Sequence, residues 1–419
     1  MSSELRPGYK QSELGVIPED WCTHTMLKAS RKILDFRGRT PRKLGMDWGG
    51  GDIPALSAGN VKMGYIDFAE ECYLGSDSLY KRWMTNGDVE KDDIVVTLEA
   101  PLGNVALIPD NRKYILSQRT VLLQLNVETT FSPFLFQALM SQSFQRLLTE
   151  NATGSTAQGI QRKKFEKLSV VCPPIREQRA IATALSDVDA LLAKLDALIA
   201  KKRDLKQAAM QQLLTCEIRL DGFSGKWEEK RLGDIAEIRD GTHQTPKYVE
   251  SGVPFYSVEN VTRGDFTNTK FITEAEHKFL TKSFKMRKGD ILMTRIGSIG
   301  DCKLIDWDVD ASFYVSLALL KINPGFSSGF ICHYSKSSFF QKETELNSLQ
   351  HAIPKKINLG PISIIKIKIP CDLAEQEAIA AVLSDMDADL TALEARRDKT
   401  RAIKQGMMQE LLTGRIRLM

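Results

Sequence analysis

Two segments of the chain carry apolar residues at alternating spacings of four and three positions. The first set is Ile181, Leu185, Val188, Leu192 and Leu195, and the second is Ile379, Leu383, Met386, Leu390 and Leu393. Such spacing is typical of the apolar seam of a coiled coil. It predicts two proline-free helices of about 38 residues, each roughly 57 Å long at 1.5 Å per residue. Because an isolated helix of this kind must bury its seam, we expect the two helices to pack antiparallel against each other.

The two helical segments are copies of one another. Residues 177–220 align with residues 375–418 without a gap, and 25 of the 44 positions are identical. The regions before them repeat more faintly: the stretch Thr97–Gly103 returns as Thr294–Gly300. The chain is therefore a duplication in which a globular unit followed by a helix occurs twice.

The globular units are predicted to mix strands and helices. Short β-rich runs such as Ile94–Leu98 and Val121–Leu125 alternate with glycine and proline turns. Helices are expected over about 133–150 and over the counterpart 330–346. Residues 1–20 are expected to form an irregular arm.

The predicted fold class is α+β with an internal pseudo-two-fold duplication. Two similar mixed α/β units are separated by two long helices that form an antiparallel coiled coil. The expected boundaries are 1–173 for the first globular unit, 174–216 for the first helix, 217–370 for the second unit and 371–419 for the second helix.

Composition places the chain among ordinary globular proteins. Its 419 residues are 42% hydrophobic and 26% charged, enough for more than one core, and the net charge of +4 permits a nucleic-acid partner without requiring one. The seven cysteines are scattered and form no Cys-x-x-Cys pair, which indicates reduced thiols in a cytoplasmic protein. We find neither a signal peptide nor an apolar run of membrane-spanning length.

Sequence signatures of catalysis are missing. The chain has no phosphate-binding Gly-x-x-x-x-Gly-Lys loop, no His-Glu-x-x-His and no Gly-x-Ser-x-Gly. The glycine run 49–51 is interpreted as a surface turn, because no strand-to-helix context surrounds it. Cys172-Pro173-Pro174-Ile175 lacks the Asn or Asp of a methyltransferase motif and is interpreted as the start of a helix. We therefore predict no catalytic and no metal-binding residues.

Polar and basic clusters occur at matching places in both repeats. Arg and Lys neutralise phosphates, whereas Gln, Arg and His can pair with base edges in the major groove. A single basic run is more often a solvated surface, but the matching positions make DNA binding comparably plausible. The candidate DNA-binding residues are Arg37, Arg39, Lys43, Gln158, Gln161, Arg162, Lys163, Lys164, His243, Gln244, Lys247, Gln350, His351, Lys355 and Lys356.

Several motifs together resemble one protein family. Pro173-Pro174-Ile175-Arg176-Glu177-Gln178 leads into the first helix, and the second helix ends at Leu411-Leu412-Thr413-Gly414. The globular segments 100–105 (Ala-Pro-Leu-Gly-Asn-Val) and 240–246 (Asp-Gly-Thr-His-Gln-Thr-Pro) add to the pattern. Over essentially its whole length the chain resembles the DNA specificity subunits of type I restriction-modification enzymes.

The resemblance implies a function for each part. Each globular unit would be a target recognition domain that reads one half of a split target on double-stranded DNA. The paired helices would dock two methyltransferase subunits, which bind S-adenosylmethionine and methylate adenine. Restriction and motor subunits would complete the complex and use ATP and magnesium. The chain itself would then be non-catalytic and hold no cofactor.

Two other functions remain as alternatives. A coiled-coil scaffold carrying two protein-binding domains explains the helices, but it does not explain the paired basic and glutamine-rich loops. A nuclease acting alone would need a metal-binding carboxylate cluster, and the sequence offers no candidate for one.

Overall fold

The computed structural model describes residues 6–154, 158–349 and 351–418. The predicted DNA-binding residue Gln350 lies outside the described residues. The chain forms two compact units. Unit 1 comprises the described residues up to Leu195 together with those from Arg396 onward, and unit 2 comprises Asp196–Ala395. Each unit thus takes one part of each long helix.

Unit 1 contains eleven strands among its described residues. They are β1 (Tyr9–Ser12), β2 (Gly15–Pro18), β3 (Cys22–Thr25), β4 (Ser30–Asp35), β5 (Ile53–Leu56), β6 (Leu74–Gly75), β7 (Ile94–Leu98), β8 (Leu102–Leu107), β9 (Ile115–Leu116), β10 (Thr120–Leu125) and β11 (Ser169–Cys172). Its helices are α1 (Met26–Ala29), α2 (Asp77–Trp83), α3 (Ser132–Met140), α4 (Gln142–Glu150), α5 (Arg162–Phe165) and the first part of α6 (Ile175–Leu214), with a 3-10 turn at Arg42–Leu44.

Unit 2 has a similar order of elements, but among its described residues it lacks counterparts of β1, β2 and the 3-10 turn and has an additional helix at Val258–Arg263. Its strands are β12 (Trp227–Arg231), β13 (Ala236–Asp240), β14 (Val253–Tyr256), β15 (Lys270–Ile272), β16 (Ile291–Thr294), β17 (Cys302–Leu304), β18 (Ser312–Phe313), β19 (Leu317–Ile322) and β20 (Lys366–Pro370). Its helices are α7 (Leu232–Ile235), α8 (Val258–Arg263), α9 (Glu274–Leu280), α10 (Ser328–Tyr334), α11 (Ser338–Leu346), α12 (Leu359–Ser363) and the first part of α13 (Leu373–Leu411).

The sheets of the two units have the same topology. A four-stranded antiparallel sheet runs β4-β10-β7-β8 in unit 1 and β13-β19-β16-β17 in unit 2. A three-stranded mixed sheet runs β6-β5-β9 and β15-β14-β18, and a two-stranded sheet pairs β11 with β3 and β20 with β12. The predicted α+β fold class and its internal duplication are confirmed.

The central strand β10 explains why the larger sheet forms. All six of its residues are buried. Val121 and Leu123 enter the core under α3 and α4, whereas Leu122 enters a second core on the other face. Because successive side chains of a strand point to opposite faces, a strand that is buried along its whole length requires cover on both sides.

The helix expected over about 133–150 is interrupted. Ser141 adopts an extended conformation, ψ 148°, and its side chain accepts a hydrogen bond from the Phe144 backbone N–H, which begins α4. The Gln145 side chain donates back to the Leu139 carbonyl at 2.8 Å, which satisfies an acceptor left free at the end of α3. In unit 2 the counterpart of about 330–346 is likewise split into α10 and α11, with Ser337 as the cap.

Residues 6–20 of the arm expected to be irregular are also ordered, and residues 1–5 lie outside the described residues. Strands β1 and β2 form a short antiparallel hairpin. The Tyr9 hydroxyl donates to the Gly414 carbonyl at 2.9 Å. The prediction was wrong for residues 9–18, which form a local hairpin that also contacts the segment after the second long helix.

The two long helices pack antiparallel, as predicted. In unit 1 Lys404 Nζ lies 2.7 Å from Asp189 Oδ1, and in unit 2 Lys202 Nζ lies 2.9 Å from Asp389 Oδ2. Six of the predicted seam residues are buried and the other four half-buried. The buried ones are Ile181, Leu185, Leu195, Ile379, Leu383 and Leu390, and the half-buried ones are Val188, Leu192, Met386 and Leu393.

The repeated Glu-Gln pair ties each helix to its unit. Buried Glu177 accepts hydrogen bonds from Trp21 Nε1 at 2.9 Å and from Arg417 Nε at 2.7 Å. Gln178 accepts from the Phe131 backbone N–H at 2.7 Å and donates to the Pro173 carbonyl at 2.8 Å. These bonds satisfy side chains that would be costly to bury unpaired.

Unit 2 repeats the arrangement. Glu375 accepts from Trp227 Nε1 at 3.2 Å and from Arg219 Nε at 3.0 Å. Gln376 donates to the Pro370 carbonyl at 2.8 Å. The second helix therefore starts in the same way as the first, although one proline precedes it instead of two.

A second polar contact holds each unit to the helices and differs between them. In unit 1 Gln137 Nε2 donates to Asp189 Oδ2 at 2.8 Å. In unit 2 His333 Nε2 lies 3.0 Å from Ser384 Oγ, and burial lowers the pKa of His333 to about 4. This histidine is therefore neutral at pH 7 and belongs to the interior packing.

Candidate nucleic-acid interface

Three loops of unit 2 meet around Arg295. This side chain is buried, and its guanidinium forms an ion pair with Asp240 at the end of β13. Its Nε donates to the Ile357 carbonyl at 3.2 Å. The Gly297 backbone N–H donates to the Lys355 carbonyl at 2.8 Å. The loop after β13, the turn after β16 and the loop before α12 are thereby fixed to one another.

His243 stands on the first of these loops. Its Nε2 lies 2.9 Å from Asp240 Oδ2, and 72% of the side chain is exposed. Gln244 and Lys247 on the same loop are exposed as well. The structure therefore places all three predicted residues of this loop on the surface.

The other predicted residues of unit 2 lie on the loop before α12. His351 is exposed. Lys355 is exposed and forms an ion pair with Glu345 at 2.6 Å. Lys356 is half-buried and its backbone bridges to Ile296. Arg295 thus joins the loop of His243 to the loop of these two lysines.

A basic segment that the sequence analysis missed borders the His243 loop. Residues 278–288 contain five exposed cationic side chains and no acidic one; they are Lys278, Lys282, Lys285, Arg287 and Lys288. A cavity of about 140 Å³ is shared by Asp240 and Thr242 on one side and by Leu280 and Phe284 on the other. A run of lysines and arginines without an aspartate or glutamate could have identified this segment in the sequence. The segment lies outside the loops that match between the two repeats, and it was therefore overlooked.

The corresponding loop of unit 1 is organised differently. Arg37 forms an ion pair with Asp35, two residues earlier in the chain, with Nη2 2.8 Å from Oδ2. Burial raises the pKa of Asp35, but the hydrogen bonds from Arg37 outweigh it, so that the pKa lies below its ordinary value. Arg39 lies over the Phe36 ring at 4.9 Å and donates to the Trp83 carbonyl. These two arginines therefore help to shape the loop that carries them.

Lys43 belongs to the same loop of unit 1. It is exposed, and its Nζ donates to the Gly38 carbonyl at 2.6 Å. This bond uses one of the three ammonium protons, so the charge remains available to a phosphate.

The loop before α5 lies beside the β7–β8 turn, as its counterpart does in unit 2. The Ile160 backbone N–H donates to the Leu98 carbonyl at 2.9 Å. Gln158 and Gln161 are exposed on this loop. Equivalent loops of the two units therefore occupy equivalent positions beside the larger sheet.

The basic residues that follow this loop differ in their contacts. Arg162 forms an ion pair with Glu166 at 2.6 Å. Lys163 and Lys164 are exposed, and within the described ranges their side chains have no hydrogen-bonding or ionic partner. Their positive charges are free to contact an anion.

Two further classes of site are absent from the described residues. Within the described ranges, no three histidine, cysteine, aspartate or glutamate side chains are grouped so that they could hold a metal ion. None of the described helices has both the length and the apolar character needed to span a bilayer.

The sequence matches a known family over most of its length. The profile of the type I restriction modification DNA specificity domain matches residues 32–201 and again residues 224–402. The MjaVIII specificity subunit of Methanocaldococcus jannaschii is 26% identical, covering 88% of this chain and 90% of that relative. The EcoBI specificity subunit of Escherichia coli is 21% identical, covering 77% and 73% respectively.

Solved structures show the same fold. The S subunit of a type I restriction-modification system from M. genitalium has a TM-score of 0.62 at 18% identity, covering 98% of both chains. A chain from a study of complex assembly in a type I system has a TM-score of 0.55 at 18% identity, covering 96% of this chain and 99% of that one. Together with the doubly matched profile, these findings confirm the resemblance: the chain belongs to the family of type I restriction-modification specificity subunits, which recognise DNA sequence.

Proposed function

We propose that each unit reads one half of a bipartite, gapped DNA target, and that the chain directs adenine methylation or restriction by partner subunits without catalysing either. The observation that carries this proposal is the pair of loop sets at equivalent positions on two units of the same topology. In the sequence alignment of the loops, Gly38 occupies the position of His243 and Arg39 that of Gln244. The loops of the two units thus lie at equivalent positions but carry different side chains, as expected if each unit recognises a different half-site.

The charges support a division of labour on this surface. Exposed lysines whose side chains have no hydrogen-bonding or ionic partner among the described residues, such as Lys163 and Lys164, are suited to bind phosphates. Phosphate recognition is independent of DNA sequence. Exposed Gln158, Gln161, His243 and Gln244 present the donors and acceptors that base edges require. The boundaries 1–173 and 217–370 remain our proposal for the two recognition domains.

The test of DNA binding uses the basic segment of unit 2. We expect Lys285→Ala with Lys288→Ala to weaken binding of the complex to all sequences, because each lost phosphate contact lowers the salt slope of log K by about 0.9. The measurement is fluorescence anisotropy with cognate and random duplexes over a series of salt concentrations. Lys163→Ala with Lys164→Ala should behave in the same way.

The matched control is Lys226→Ala, an exposed lysine outside the loops of the interface. Its salt slope should equal that of the wild type. Unchanged slopes for both double variants would show that these surfaces do not contact DNA.

We further propose that two methyltransferase subunits dock on an apolar patch that occurs once in each unit. In unit 1 Ile416 is 53% exposed and lies beside Ala184 and Met407, around a cavity of about 290 Å³. In unit 2 the repeat places Ile218, 50% exposed, and Val382, 36% exposed, at the positions of Ile416 and Ala184. If two copies of one partner bind in the same way, the chain must present the same docking surface twice. Clustered exposed apolar side chains are typical of such protein–protein interaction sites.

The docking proposal predicts a change in stoichiometry. We expect Ile416→Asp and Ile218→Asp each to remove one methyltransferase subunit, and the double variant to remove both, because a carboxylate buried in an apolar interface is unpaired. Mass photometry of the reconstituted complex measures this directly. Val127→Asp, at a valine that is 77% exposed elsewhere on unit 1, is the control. Full occupancy of the double variant would exclude this patch.

S-adenosylmethionine, ATP and magnesium belong to the partner subunits in this proposal. The chain's own part is to bind DNA, hold the recognition domains on the helix pair and present the docking patches. Turnover by the purified chain, abolished by a point substitution within it, would contradict its non-catalytic role.

A further inference from the structure

We propose that His243 reads an exocyclic amino group on a base, adenine N6 or cytosine N4, by accepting a hydrogen bond at its Nδ1. Asp240 and Arg295 are the positioning residues that hold the imidazole in this state. The inference rests on the proposed function, because it names the base chemistry that one loop of unit 2 recognises.

The contact with Asp240 decides which ring nitrogen carries the proton. His243 Nε2 lies 2.9 Å from Asp240 Oδ2. An ionised carboxylate only accepts hydrogen bonds, so Nε2 must donate and carry the proton. In the neutral ring Nδ1 is then an acceptor. Within the described part of the chain Nδ1 has no partner, and the side chain is 72% exposed.

Arg295 prevents the carboxylate from turning away. Its side chain is only 5% exposed, and its guanidinium binds the other oxygen of Asp240. The Nε of the same guanidinium is bound to the Ile357 carbonyl. Both carboxylate oxygens are thus occupied, one by a buried anchor and one by the imidazole. The arrangement fixes the ring before DNA arrives, which lowers the entropy that binding must offset.

Unit 1 lacks this device. The position of His243 is occupied by Gly38, and the position of Arg295 by Leu98. Asp35, at the position of Asp240, is held by Arg37. The amino-group reader is therefore a property of unit 2 and of the half-site that unit 2 contacts.

The chemistry of the major groove limits what an acceptor can read. Adenine N6 and cytosine N4 are the donors there, whereas guanine and thymine offer only acceptors through N7, O6 and O4. A neutral imidazole presenting Nδ1 therefore discriminates in favour of adenine or cytosine. The basic segment 278–288, across the small cavity from Asp240 and Thr242, can hold the phosphates that bring a base edge to this loop.

The decisive variant is Asp240→Asn. Its amide oxygen can still accept from Arg295, while its NH₂ donates to Nε2. The ring then carries its proton on Nδ1, which becomes a donor. We expect the base preference at one position of the unit 2 half-site to reverse, from adenine or cytosine to guanine or thymine on the contacted strand. His243→Ala should instead lose about 5- to 10-fold of preference at the same position.

The experiment selects random-sequence duplex DNA with the complex of this chain and its methyltransferase subunits, followed by sequencing of the bound fraction. The half-site read by unit 1 is the internal control and should stay unchanged in every variant. Arg295→Lys, which keeps the charge but loses the bond geometry, should weaken the preference at the His243 position and any contact made by the loop before α12, which Arg295 also fixes. An effect on stability alone would not produce a change confined to one base pair.

The outcomes separate the two proposals. If Asp240→Asn loses the preference without reversing it, or if guanine or thymine is the base lost in His243→Ala, the acceptor assignment is wrong. Unchanged motifs in His243→Ala and Asp240→Asn overturn the inference while leaving the bipartite function intact. A wild-type complex that selects no motif overturns the proposed function and the inference with it.

Discussion

A chain in which residues 22–172 are replaced by the equivalent domain of a relative is expected to recognise a target changed in one half and identical in the other. The exchange leaves Trp21, Glu177 and Arg417 in the host chain, and these residues tie unit 1 to its helices. Gln178 contacts the exchanged part through the Phe131 backbone N–H, which any non-proline residue supplies. The bonds of Glu177 and Gln178 therefore survive the exchange, whereas Gln137, which donates to Asp189, is replaced together with the reading loops.

Methylation-sensitive sequencing of a host genome carrying the hybrid measures both half-sites at once. The reciprocal exchange in unit 2 serves as the matched control and should alter the other half. A hybrid that changed both half-sites together would show that the domains do not read independently.

The largest loss of stability is expected from Leu383→Asp. Leu383 is completely buried in the core of unit 2, in the same cluster as Leu213 and Phe330. An unpaired carboxylate at this position should lower the free energy of unfolding of unit 2 by about 4 kcal/mol or more. Hydrogen exchange of peptides from β16 and β19 over a urea series measures this unit separately.

Ala381→Asp, on an exposed position of the same helical turn, is the control and should cost less than about 1 kcal/mol. Equal losses in both variants would mean that the effect comes from helix propensity and not from the core.

The sequence predicted the features that depend on period and repetition. The 4-3 spacing from Ile181 to Leu195 identifies an apolar helix face whatever the surroundings, and the repeat supplies the partner helix. The break at Ser141 was missed because a single serine does not interrupt the apolar periodicity that predicts a helix. Only the structure shows that its side chain caps a second helix.

The interface was predictable only in part. His243 could be proposed from its loop, but its orientation depends on Arg295, which pairs with Asp240 from 55 positions along the chain. No local pattern reveals such a pair. For Arg37 a local signal existed, since Asp35 two residues earlier already suggested a neutralised arginine.

The division of the chain between the two units has a consequence for the order in which they fold during synthesis. Unit 2 is one continuous stretch, Asp196–Ala395, whereas unit 1 needs residues from Arg396 onward to complete its apolar cluster with Leu411 and Leu412. Domains fold as units while the chain emerges from the ribosome, usually starting with the N-terminal one. Here the later-encoded unit has all its contacts first. The first-encoded unit cannot complete its apolar cluster, in which Ile181 and Leu185 pack with Leu411 and Leu412, until the last part of the chain has been synthesised.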